Sequence, residues 1–262
     1  MGGRARDLPF GGACLWELPC DASAAGRARG LLGAAMAEAG FDAAVVDDAV
    51  VAASELVTNA YRHATGAVEL WVWARTRPRA QLVVSVFDGS RAAVPRPRDG
   101  DLLAETGKGL GIVEALTSGW SSHPSRSRLA HTPMLGKATW FVLPLPERWP
   151  RPPWSIAPGV AAQRLVDVLA ARGLRPSRAS DSAGVSIVSV ESLNVWVCPL
   201  TFSWRDSSGV YLRLPLIDLQ EAGERIVRTL ETASAGAGVC PTGKPGGGCD
   251  APGDAGAVGS PS

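Results

Sequence analysis

The chain has 262 residues, 46% hydrophobic and 19% charged, enough apolar material for one large domain or two small ones. Its 26 basic and 25 acidic residues leave a net charge of +1, so the basic bias of a protein whose main partner is nucleic acid is absent. No apolar run approaches the ~20 residues of a membrane span and no basic-then-apolar leader opens the chain, so a soluble, cytoplasmic protein without membrane contact is expected.

In chain order, a short strand is predicted at Ala13–Pro19 and a helix from about Ser23 to Ala39, ended by Gly40. Asp42 caps a second helix that runs to about His63, and Gly66 stops it. The run "AVELWVWAR" alternates, with Val68, Leu70 and Val72 on one side and Glu69, Trp71 and Trp73 on the other. "QLVVSVFD" is a second strand, paired to the first through a hairpin around "TRPRA". A short helix, "GLGIVEALTS", and a strand, "ATWFVLPL", close this region. The mixture predicts an α+β fold in which an antiparallel-rich sheet is covered by helices on one face.

The proline-rich stretch Leu143–Trp154 breaks both helices and strands. We therefore expect domains at 10–147 and 158–236, joined by a linker at 148–157. The second is predicted as a small αββββα unit: a helix from Pro158 to Gly173, then strands "VSIVSV", "NVWVCP", "FSWR" and "VYLRL". Its final helix starts at Asp218, with Glu221 as a capping-box partner. Residues 237–262 are Gly, Pro, Ala and Asp with little to bury, and are expected to be disordered. The five cysteines, at positions 14, 20, 198, 240 and 249, form no metal-like cluster and read as reduced thiols.

Three features of the first region carry chemistry. Glu55, Asn59 and His63 recur every four residues, which stacks a carboxylate, an amide and an imidazole on one edge of the second helix. Asp88–Gly89 ends a strand, a pattern that alone is usually a turn. "GKGLG", Gly107 to Gly111, opens a helix, where backbone N–H groups and the helix N-terminus favour a phosphate. It is neither a P-loop nor a dinucleotide fingerprint. Each alone has a bland reading: a solvated helix face, a turn, a flexible hinge.

In that order and spacing, "SELVTNAYRHA", "VFDGS", "GKGLGIVEAL" and "GKATWFVLPL" resemble the GHKL (histidine-kinase-like, Bergerat) ATPase superfamily. Within it the sequence is most similar to the stand-alone anti-sigma-factor serine/threonine kinases and their actinobacterial relatives. The resemblance covers roughly residues 10–147 and implies a Bergerat-type α/β sandwich that binds ATP and Mg²⁺. It implies Asn59 as Mg²⁺ ligand and Glu55 as general base for phosphoryl transfer. It implies Asp88 as acceptor for the adenine amino group, with Gly89 leaving room for the ring. Gly107, Lys108, Gly109, Leu110 and Gly111 would line the phosphates, and Arg62 or Lys108 could reach one. Ser90–Thr106 would form a lid. For His63 a helix-end role is expected, favourable beside the C-terminal dipole.

Two departures stand out. The threonine expected in the closing strand falls on Ala138, with Thr139 one along, and such a shift turns a strand side chain to the opposite face. Ser121–Lys137 is longer than the usual connection and carries His123, Arg126, Arg128, His131 and Lys137 without an acid, so a solvated basic loop that touches an acidic partner is expected. No phospho-acceptor helix precedes the ATPase region, which argues against a sensor kinase. The implied partners are proteins, a sigma factor or an anti-anti-sigma-type antagonist; homodimerisation stays open. The alternative function is a nucleotide-gated binder that transfers no phosphate. The C-terminal unit is expected to pack on the ATPase domain, expose Trp196 or Trp204 to a partner, and be dispensable for nucleotide.

Overall fold

Five strands form the first sheet: β1 (Ala13–Leu18), β2 (Val68–Arg75), β3 (Gln81–Asp88), β4 (Trp120–Arg126) and β5 (Leu135–Pro144). Their order is β1-β2-β3-β5-β4, and every neighbouring pair is antiparallel. The computed structural model describes residues 3–63, 66–91, 108–150, 156–181, 184–206 and 208–237. Strand alternation sends Leu70, Val72, Val84, Val86 and Phe141 to one face, where they pack against three helices. These are α1 (Ala24–Glu38), α2 (Ala43–His63) and α3 (Lys108–Leu116). On α2 the buried stripe is Ala49, Ala52, Ala53, Leu56, Val57 and Ala60, at helical spacing. Its small side chains let the helix lie close to the sheet.

The second unit contains α4 (Pro158–Ala170), a meander of five strands and α5 (Leu219–Ala237). The strands are β6 (Ser177–Ser180), β7 (Ser186–Val190), β8 (Leu193–Val197), β9 (Thr201–Arg205) and β10 (Tyr211–Pro215), ordered β10-β9-β8-β7-β6. β6 is the addition to the four expected strands; all four of its residues are exposed, so no alternation marks it. Trp204 lies in this unit's core with Val188, Val195, Phe202, Leu165 and Ile226, whereas Trp196 is 48% exposed. Of the two tryptophans offered to a partner, only Trp196 faces outward. Among the described residues no helix is long and apolar enough to cross a membrane. The tail 238–262 lies outside the described residues.

The back face of the first sheet is covered as well, by α5. Trp71, Trp73, Val83, Phe87, Ala138 and Val142 form a buried layer there, with Trp71 and Phe87 stacked at 5.3 Å. Facing it, α5 presents carboxylates. Glu224 Oε1 accepts hydrogen bonds from His123 Nε2 at 2.9 Å and Ser125 Oγ at 2.7 Å. Its Oε2 pairs with Arg128 at 3.1 Å and with Arg172. Trp140 Nε1 donates to His123 Nδ1 at 3.1 Å, so Nδ1 is the accepting nitrogen and Nε2–H faces Glu224. Burial alone would push the Glu224 carboxyl up, but Arg172, the His123 hydrogen bond and Arg128 outweigh it and hold it well below the usual carboxylate range.

This arrangement corrects two expectations. Ser121–Lys137 is not a solvated loop: most of it is edge strand β4 and the turn into β5, and its basic His123 and Arg128 are buried against α5 of the same chain. The acid missing from its own sequence comes from Glu224 and from Glu231, which accepts from Arg126 Nε at 2.6 Å. Asp218 and Glu221 do not close a local capping box. Asp218 accepts from Thr76 N at 2.8 Å, Thr76 Oγ1 at 3.0 Å and Arg77 N at 3.1 Å. Glu221 accepts from Arg75 and Trp73, each at 3.2 Å. Both therefore bind β2 and the β2–β3 turn of the first unit.

Candidate functional site

The α2 edge that carries Glu55 and Asn59 is half-buried, while Arg62 and His63 are exposed in its last turn. Helix α2 packs against both β3 and α3, which brings the three sequence motifs around one helix. Gly109 shows how close the approach is. A Cβ there would lie 2.5 Å from Glu55 Oε2, so the carboxylate rests on the first turn of α3 and would have to swing aside for a larger residue. Leu110 turns its side chain into the core beside Val113 and can offer a ligand only its backbone. Lys108 opens α3, and a Cβ on Gly111 would meet nothing within 4 Å. Gly107 and all but the first two residues of the expected lid, Ser90–Thr106, lie outside the described residues.

Asp88, the last residue of β3, is 3% exposed and sits on the α2 side of the sheet, in step with Val84 and Val86. Its Oδ1 accepts from Ser90 N at 2.9 Å, which closes the turn through Gly89. The same oxygen takes a 2.7 Å hydrogen bond from Lys137 Nζ. Lys137 is directly across from Asp88 on β5 and is itself buried. Sequence reasoning placed Lys137 in a basic loop and missed this pairing. The signal was the alternation of Lys137, Thr139 and Phe141, which fixes their common face.

The same alternation corrects the reading of the closing strand. Phe141 belongs to the layer under α2 and Ala138 to the layer under α5, so Thr139 shares the face of Asp88. Thr139 Oγ1 lies 3.0 Å from Ser122 Oγ on β4.

The residues present suit a magnesium nucleotide. Asn59 offers a neutral oxygen, a hard donor for a hard cation that draws the rest of its shell from phosphate and water. Among the described residues Asp88 Oδ2 takes no hydrogen bond and is left as an acceptor, and Glu55 has no salt-bridge partner.

Residues 18–129 match the family model of the histidine kinase-like ATPase domain. That span includes Glu55, Asn59, Asp88 and Gly107–Gly111 and ends in the turn after β4, short of Lys137. The match supports an ATP-binding domain of the GHKL type, a domain that generally binds ATP with Mg²⁺. No curated protein matches the chain.

Proposed function

We propose, with that ATP-binding domain as the premise, that the chain is an anti-sigma-factor-like serine/threonine protein kinase that regulates transcription through a protein partner. The partner is a sigma factor or an antagonist that it phosphorylates. The observation that carries this reading is the Glu55 carboxylate resting on Gly109 at the start of α3. A base in that place is next to the backbone N–H groups that would hold the phosphates. Asp88 accepts from the base of the nucleotide, and Asn59 supplies one oxygen to Mg²⁺. Bound Mg²⁺ would supply charge neutralisation at the phosphates. Glu55 takes the proton from the partner's serine or threonine hydroxyl as its oxygen attacks the γ-phosphorus and the bond to ADP breaks.

Capture of the partner from the native cell, with and without Mg-ATP, followed by γ-phosphate labelling, tests the proposal. Glu55→Ala is expected to cut transfer by about two to four orders of magnitude and to leave ATP affinity within a few-fold, because a general base acts in the transition state. If the wild-type protein captures its partner in a nucleotide-dependent way and never labels it, the chain is a gated binder instead.

A further inference from the structure

The Asp88–Lys137 pair places a buried cation where the proposed function needs only an acceptor. Removing an ammonium from water is unfavourable, so its position must be fixed by partners. Lys137 Nζ donates to Asp88 Oδ1 at 2.7 Å and to the Ser90 carbonyl at 3.3 Å. An ammonium has three protons, so among the described residues one donor is left. Asp88 spends Oδ1 on Lys137 and Ser90 N, and among the described residues Oδ2 remains open. The pair therefore presents one donor and one acceptor side by side. Gly136 holds them in register: a Cβ there would lie 2.0 Å from the Asp88 carbonyl oxygen and 2.7 Å from the Phe87 ring, so β5 presses directly on the end of β3.

We infer that Lys137 is a specificity-determining residue for the nucleotide base, donating to ring N1 of adenine while Asp88 Oδ2 accepts from the 6-amino group. The inference rests on the proposed nucleotide site. A 6-aminopurine carries a donor and an acceptor next to each other on that edge, the complement of the Asp88–Lys137 pair. Guanine in the same pose reverses both: its O6 faces the carboxylate and its N1–H faces the ammonium. A site with buried polar groups rejects a ligand that leaves them unpaired far more strongly than an apolar pocket rejects a change of size.

Titration calorimetry of the full chain with Mg²⁺ and three ligands decides it: ATP, GTP and 1-deaza-ATP, in which C–H replaces ring N1. The wild type is expected to bind 1-deaza-ATP about tenfold or more weakly than ATP, and GTP more weakly still. Lys137→Met is expected to bind ATP and 1-deaza-ATP alike. Equal affinity of the wild type for ATP and 1-deaza-ATP, or for ATP and GTP, overturns the role of Lys137 and leaves the nucleotide site standing. No ATP binding by the wild type overturns both. If Lys137→Met does not fold by circular dichroism, equal affinity of the wild type for ATP and 1-deaza-ATP still overturns the role, and Lys137→Ala takes the place of Lys137→Met, its loss of discrimination between the two ligands supporting the role and its retention overturning it.

Discussion

Asp88 has two jobs that pull a mutant in different directions. It is the proposed acceptor for the nucleotide base and the counter-charge for buried Lys137. Asp88→Ala removes both, and an ammonium left without its carboxylate in a buried place costs about 3–5 kcal/mol. We expect Asp88→Ala to melt well below the wild type and to bind ATP at least about tenfold more weakly. Adding Lys137→Met to Asp88→Ala takes away the orphaned charge and is expected to restore much of the melting temperature without restoring ATP binding. Thermal melts and calorimetry on the three variants separate the two roles. A double variant no more stable than Asp88→Ala would mean that the ammonium is not what destabilises it.

At the scale of elements, α5 is held to the sheet by charge as much as by apolar contact, and Glu224 is the centre of it. Its carboxyl titrates below the usual 4.5, so it stabilises the fold above that pH, and the contribution is lost as pH falls through its folded value. Glu224→Gln is expected to lower stability by about 3–5 kcal/mol near neutral pH, because Arg128 and Arg172 lose their anion. The gap in melting temperature between wild type and Glu224→Gln should narrow on acidification below 4.5. A gap independent of pH would show that the carboxylate charge does not hold the helix. Elements with clear alternation, such as β2 and β3, were legible in the sequence, as were α1 and α2 with their Gly stops. β4 was not, because "WSSHPSR" is an edge strand that tolerates Pro124, and the acid that His123 and Ser125 bind comes from a helix about 100 residues later. Lys137 was hidden for a related reason: its partner is set by β3–β5 register, which local sequence does not state.

At the scale of the whole molecule, the two cores meet across α5, and cutting the chain near Arg148 would do more than remove a satellite. It would bare Trp71, Trp73, Val83 and Phe87 and leave Arg75, His123 and Arg128 without their acids. We therefore replace the expectation of a dispensable unit with an expected loss of folding. A chain ending near Arg148 should show reduced near-ultraviolet ellipticity and bind an exposed-hydrophobe dye, and co-expression with residues 156–237 should restore the fold. A truncated form that stays monomeric, folded and ATP-binding would contradict this account.

The charge network across that junction also limits how the two halves can change through descent. Glu224 on one side answers His123, Ser125 and Arg128 on the other, and Glu231 answers Arg91 and Arg126. An ATP-binding domain grafted from a relative that lacks these partners would strand buried carboxylates, and a foreign C-terminal unit would strand the cations. Recombination between such genes would therefore succeed only when both sides carry the matching set, which ties the inheritance of the second unit to that of the first.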